Sequence, residues 1–340
     1  MNLEITKNDW KLYFEDPLPG WGNSSLSLFN MDIARLKEQK NSDIAIYSVP
    51  FDSTSFSRIG SRYGPNNIRQ ASLKYSAQEK SRNQPVLRNM RNGRLYTTRN
   101  PKCYDYGDLH VYPNDTLKQM QSIMSEAYSI ALLSKSTIML GGEHTLSFPN
   151  FHATYQAAIE KGKGKIGYIQ IDNHFDFGKY SILNGEYYHG TNARKIFELP
   201  YMKGYFMGFV GVGDFTSNEQ YNFLLDNNVT VKNMDEIRKT SFKKCLIDTL
   251  DKISENTDSL YISIDIDVCD NPYAPGTGHI TIGGINLLEF MEIVDILKNY
   301  SVCALDIVEV NPQYDSSELT SNLVSRFLHE YIFFEELKDE

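Results

Sequence analysis

The chain reads as an α/β protein of three layers, α/β/α, with helices covering both faces of a mostly parallel central sheet. Two observations predict this class. From residue 137 to residue 334 apolar, strand-length runs alternate with amphipathic segments, the pattern of strands joined by helical crossovers. Several of those runs also end abruptly in polar clusters, as happens where the C-terminal ends of parallel strands carry a ligand site. At 340 residues and 41% apolar content, one large domain can bury its own core, and no Pro/Gly/Ser-rich linker interrupts it. Residues 1–40 read as an N-terminal extension and 41–340 as the single domain.

Taken in order, residues 1–40 hold Trp10, Trp21, Asp16-Pro17 and Pro19-Gly20, with a helix predicted over 31–39. They would form a strap on the domain or a subunit contact. A first strand is predicted over 44–49, then a polar loop and a helix opening at Pro65, a residue favoured in a first helical turn. Residues 78–100 read as an irregular basic loop (Lys80, Arg82, Arg88, Arg91, Arg94, Arg99), either solvated or able to grip an acidic partner such as a peptide. A strand over 104–109 precedes a helix over 116–134. There Leu117, Met120, Ile123, Met124 and Ala127 recur at helical spacing, behind a cap at Asn114 or Asp115. Strands are then predicted over 137–140, 166–171, 205–212, 229–232, 260–266 and 302–308. The intervening helices fall over 148–161, 218–226, 241–253, 286–298 and 319–334.

A net charge of −9 argues against general nucleic-acid binding. Cys103, Cys245, Cys269 and Cys303 lack C-x-x-C spacing and read as reduced thiols of a cytoplasmic protein. Charged residues precede any apolar run at the N-terminus, which argues against a signal peptide, and no stretch is long enough to span a bilayer.

The chemistry concentrates at three strand ends. The run 166–171 ends in Asp172-Asn173-His174-Phe175-Asp176. If the backbone stays extended there, Asp172, His174 and Asp176 point one way. The run 260–266 carries Asp265 and Asp267, again alternate. The run 138–140 leads through Gly141-Gly142-Glu143 to His144. Taken singly, each could be a polar loop, an Asp turn or a capping histidine. Together, His144, Asp172, His174, Asp176, Asp265 and Asp267 form an oxygen-rich set without thiolate, which suits Mn²⁺ or a similar ion better than structural zinc. Six ligands exceed what one ion with an open position needs, so two Mn²⁺ per chain are expected.

These segments resemble the ureohydrolase family of arginases and agmatinases. Further matches are Gly60-Ser61-Arg62-Tyr63-Gly64-Pro65 with Ile68-Arg69, His189-Gly190-Thr191, Ala274-Pro275-Gly276-Thr277-Gly278 and Asp306-Ile307-Val308-Glu309-Val310-Asn311-Pro312. The resemblance spans about residues 43–335 and implies an arginase-like fold and hydrolysis of a guanidino group to an amine and urea. It implies that Asp176 ligates and takes a proton, that His189 carries a proton at near-neutral pKa, and that Glu309 holds the guanidinium through paired hydrogen bonds. Family members are commonly homo-oligomers.

Two departures bear on substrate. Asn173 stands where the family usually has Ala. In Gly211-Val212-Gly213-Asp214-Phe215-Thr216, register places Thr216 where arginases carry the aspartate that holds the α-amino group of free arginine. Residues 177–188, Asn184 among them, lack the arginase pattern that receives the α-carboxylate. Asp214, Thr216 and Asn184 remain candidate substrate contacts. Expected substrates therefore lack free amino-acid ends: agmatine, another small guanidino compound, or an arginyl side chain of a peptide. The alternatives are a formimino-group hydrolase and a non-catalytic metal-binding protein.

Overall fold

Eight strands lie parallel in one sheet in the computed structural model, which describes residues 26–56, 58–81 and 86–337. They are β1 (Ser42–Val49), β4 (Cys103–Asp108), β5 (Ser134–Gly141), β6 (Ile166–Ile171), β7 (Met207–Val212), β8 (Thr230–Asn233), β9 (Ser259–Asp265) and β10 (Val302–Val308). Their order across the sheet is β4-β1-β5-β10-β9-β6-β7-β8. The middle four, β5, β10, β9 and β6, are those whose downstream residues carry the polar clusters, so the topology gathers these ends side by side.

Alternation along each strand supplies the two flanking layers. Ile262 and Ile264 of β9 pair in register with Leu305 and Ile307 of β10. All four pack in one apolar layer with α7 (Phe242–Ser254), α8 (Leu287–Leu297) and α9 (Leu319–Phe333). Tyr168 and Tyr261 belong to a separate layer with α2 (Thr116–Leu133) and α3 (Ser147–Glu160). Asp115 caps α2, accepting a hydrogen bond from Lys118 N. No described helix is long and apolar enough to cross a membrane, and all four cysteines are free thiols.

Local signals missed several elements. The predicted helix over 31–39 is instead a 3₁₀ turn at Leu36–Glu38 following a bridge from Ile33 to Asp105. The short helices α4 (Asn192–Phe197) and α6 (Met234–Lys239), on either side of the expected α5 (Asn218–Asp226), were not expected. Residues 78–100 are not one irregular loop. Helix α1 (Gly64–Ser81) runs into them, and β2 (Val86–Arg88) and β3 (Leu95–Thr98) form an antiparallel sheet with β11 (Phe334–Glu336). Arg91 pairs with Asp295 and Glu330, Arg94 pairs with Glu336, and Arg99 donates to the carbonyls of Tyr331 and Ile332. Arg91, Arg94 and Arg99 thus fasten this flap to α8, α9 and β11, so these three are not free to grip an acidic partner. Trp10, Trp21, Arg82 and Pro85 lie outside the described residues.

Arg69, fully buried on α1, ties that helix to the sheet edge. Its Nε and Nη2 donate to both oxygens of Asp105 (2.9 and 2.8 Å), while Nη1 reaches Ser48 Oγ and Asp108. Removing one partner of a buried, hydrogen-bonded ion pair leaves the other charge uncompensated. Arg69→Met should therefore lower unfolding free energy by about 3–5 kcal/mol, read as the urea midpoint. A change below about 1 kcal/mol, the scale of an exposed pair, would mean the cluster is solvated.

Candidate active site

The turn after β5 sets the floor of the site. A Cβ on Gly142 would sit 1.9 Å from Phe51 O, so only glycine lets this turn pack against the end of β1. His144 follows, fully buried, its Nε2 2.9 Å from Ser263 Oγ. Ser263 in turn donates to Asp306 Oδ1 (2.6 Å), and Tyr261 donates to the other oxygen of Asp306. Asn150 donates to Tyr261 Oη (2.7 Å) and accepts from Tyr47. This buried chain of polar side chains fixes the imidazole with Nδ1 facing the carboxylates.

The stretch Asp172 to Asp176 is not extended, contrary to expectation. β6 ends at Ile171, Asp172 Oδ1 accepts from His174 N (2.6 Å), and Asp176 takes a left-handed φ of 47°. Asp265 likewise closes a turn, accepting from Asp267 N (2.9 Å) ahead of a 3₁₀ turn at Ile266–Val268. The side chains still converge, through Asp turns rather than strand pleating. Asp172 is held by Gln170 Nε2, which donates to Oδ2 (2.7 Å). Glu309, after β10, also has a left-handed φ, of 62°. Its backbone N donates to Gly142 O and its Oε1 accepts from His144 N (2.9 Å), fixing the carboxylate in the cavity wall. Non-glycine residues held in this region cost about 1–3 kcal/mol each and concentrate at functional sites.

Two donor groups result. His144, Asp172, Asp176 and Asp265 bring four potential ligand atoms within 4.8 Å of one another, and His174, Asp267 and His279 bring three. Asp172 faces both: Oδ2 lies 3.1 Å from His144 Nδ1 and Oδ1 lies 3.4 Å from His174 Nδ1. Burial and the charges of Asp267 and Asp172 push the Asp265 carboxyl well above the carboxylate range, and burial with Asp172 raises Asp176 to about 6. Such crowding of acids needs positive charge. Three carboxylate oxygens lie 2.9–3.2 Å from His144 Nδ1, yet that atom makes no hydrogen bond, and neither does buried Asp267 Oδ1. These donors fit two divalent cations, one per group, with Asp172 shared.

A cavity of about 300 Å³ opens above them. Its wall includes Phe56, Arg58, Tyr188, His189 and Glu309 beside the acidic cluster. His189 is brought to the site, with its backbone N bonded to Thr54 Oγ1 (3.2 Å) and its ring 4.8 Å from that of Phe56. Its expected near-neutral pKa is not seen: burial, with the neighbouring imidazoles, pushes it down to about 4, so the ring is neutral at pH 7. Burial, then Asp265 and Glu143, raise Glu309 well above the usual range.

The other candidates sit apart from the cavity wall. Asp214 Oδ2 lies 3.4 Å from His174 Nε2, the nitrogen turned away from the donor group, so it backs the His174 ring rather than reaching the cavity. Thr216 is exposed and accepts from Gln220 Nε2, and Asn184 donates to Thr54 O. Asn173 is buried, and its Oδ1 lies 2.7 Å from where a Cβ on Gly213 would fall, so the amide fills space that a side chain at 213 would need. His279 was missed because its only sequence signal is one histidine after the Gly276-Thr277-Gly278 turn; the fold carries it across to His174.

The arginase family model matches residues 42–333. The chain belongs to the arginase family. It is therefore a hydrolase of a family of binuclear metal enzymes that act on guanidino and amidino groups. It is 28% identical to a formimidoylglutamase of Bacillus subtilis over 84% of each chain. It is 29% identical to an agmatinase of the same organism over 88% of this chain and 94% of that one. A guanidinobutyrase of Pseudomonas aeruginosa is 28% identical over 85% of each. In fold, the crystal structure of the Bacillus subtilis formimidoylglutamase superposes with a TM-score of 0.75 and 24% identity, covering 95% of this chain and 96% of that one.

The donor grouping predicts distinct losses. Asp267→Ala should cost one bound divalent ion per chain by metal analysis after desalting, whereas Glu309→Gln should keep both. Loss of metal from the Glu309 variant would make that residue a ligand, and two ions retained by the Asp267 variant would remove it from the donor set.

Proposed function

We propose that this arginase-family hydrolase cleaves a terminal guanidino group to an amine and urea, using two Mn²⁺ ions, on a substrate without free amino-acid ends. The observation that carries this reading is the pair of donor groups sharing Asp172 beneath a cavity whose wall contains Glu309. When bound, two such ions would lower the pKa of a bound water and neutralise charge that develops during attack. The protein supplies the rest. Glu309, its orientation fixed by the His144 N–H, would accept hydrogen bonds from the guanidinium and set its carbon over the acidic floor. Asp176 would take the proton released as the nucleophile forms. His189, facing the same cavity, would relay that proton only transiently, its lowered pKa making the protonated ring a strong donor to the departing nitrogen.

Absence of amino-acid clamps supports the substrate class. Position 216 holds an exposed threonine bonded to Gln220, and Asp214 is turned to His174, so no carboxylate among these reaches for an α-amino group. Free arginine should be a poor substrate compared with agmatine, guanidinobutyrate or an arginyl peptide.

A second reading has its own observation. Arg58 lines the cavity, and its Nε is buried without a hydrogen-bond partner. A cation there would receive a carboxylate tail, favouring a guanidino acid or a formimino acid, the latter releasing formamide. Parallel assays of Mn²⁺-loaded protein on agmatine, arginine, 4-guanidinobutyrate, formiminoglutamate and an arginine-containing peptide separate these. Urea from agmatine or the peptide, with arginine the weaker substrate, supports the main reading, whereas urea from 4-guanidinobutyrate alone or formamide from formiminoglutamate alone supports the second. Preference for free arginine would contradict both.

A further inference from the structure

His279 is a cavity-wall residue to which the proposed reaction gives no task. The loop that carries it, between β9 and α8, is pinned to the frame on both sides. Asn271 N donates to Thr281 O (3.0 Å), Asp270 Oδ1 accepts from Gly283 N (2.9 Å), and Thr277 bridges to Val310 beside Glu309. Thr281 and Thr277 are themselves buried. The exposed ring at 279 is thus presented from anchored backbone. It meets His174 edge to face, with centroids 4.4 Å apart, and one of its nitrogens falls with a His174 nitrogen and an Asp267 oxygen within 4.8 Å of one another. Simple ring contact would explain the His174 pairing. It leaves Asp267 Oδ1, buried and without a hydrogen bond, unaccounted for.

We propose that His279 is a further side-chain ligand of the cation held at His174 and Asp267. This rests on the two-cation reading of the site. It makes the two positions chemically unequal. The first offers one imidazole and the carboxylates of Asp172, Asp176 and Asp265. The second offers two imidazoles, Asp267 and the shared Asp172. Nitrogen-rich sites suit Co²⁺, Ni²⁺ and Zn²⁺, whereas carboxylate-rich ones suit Mn²⁺. The second position should therefore discriminate less sharply for Mn²⁺ than the first, and a ligand drawn from an exposed loop at the cavity rim couples loop placement to occupancy.

The test uses the full chain, stripped with chelator and titrated calorimetrically with Mn²⁺ and spectroscopically with Co²⁺. Wild type should bind two equivalents. His279→Ala should leave the first step intact, weaken the second by about tenfold or more, on the scale seen when residues supporting a metal site are lost, and alter the visible Co²⁺ band of the second equivalent. Its metal-free melting temperature should match wild type, and Ile280→Ala, a neighbouring exposed side chain, should leave both steps unchanged. An unaltered second step and Co²⁺ band in His279→Ala would overturn the assignment. So would equal weakening of both steps, which would mark a structural role for the loop. Failure of wild type to take a second equivalent would instead overturn the two-cation reading itself.

Discussion

Carboxylates brought within a few ångströms of one another repel, and this fold brings Asp172, Asp176, Asp265, Asp267 and Glu309 to the ends of three strands, beside His144 from a fourth. Such a cluster persists in a folded protein only with compensating positive charge. That requirement organises much of the architecture. It explains why donors come from adjacent central strands, whose ends a parallel sheet places side by side. It explains why Asp176 and Glu309 accept left-handed backbone to aim their side chains. It also gives Asp172 its central place, with one oxygen turned toward each donor group.

The surrounding polar chain serves the same end. His144 is oriented by Ser263, Ser263 by Asp306, and Asp306 by Tyr261, while Gln170 holds Asp172 and Asp214 stands behind His174. All but the exposed Asp214 are buried or half-buried polar groups of the kind that apolar residues could replace with gain in local stability. Their presence is accounted for by what they position. Arg69 plays the comparable part at the sheet edge, where its guanidinium keeps Asp105 and Asp108 from being buried alone.

Legibility in the sequence followed the range of the interaction. Continuous apolar runs marked the strands of the parallel sheet, because burial on both faces removes polar alternation; β6 and β10 appear at their expected bounds. The polar clusters at strand ends were visible because they interrupt those runs. Their local conformation was not: Asp172–Asp176 was read as pleated, yet side-chain acceptance of the His174 N–H bends it into a turn. The basic stretch before residue 100 was misread because its partners Asp295, Glu330 and Glu336 lie some 200 positions later. His279 was overlooked for the same reason, since only tertiary structure brings it to His174. A pKa is equally non-local, and burial of His189 carried it away from the neutral value that its residue type suggests.

The proposed chemistry depends on two cations sharing Asp172, and the most direct test is anomalous scattering from crystals grown with Mn²⁺. Two peaks about 3.5–4 Å apart, one beside His144 and one beside His174 with Asp172 reaching both, are the predicted result. A single peak, or two peaks with Asp172 touching neither, would contradict it.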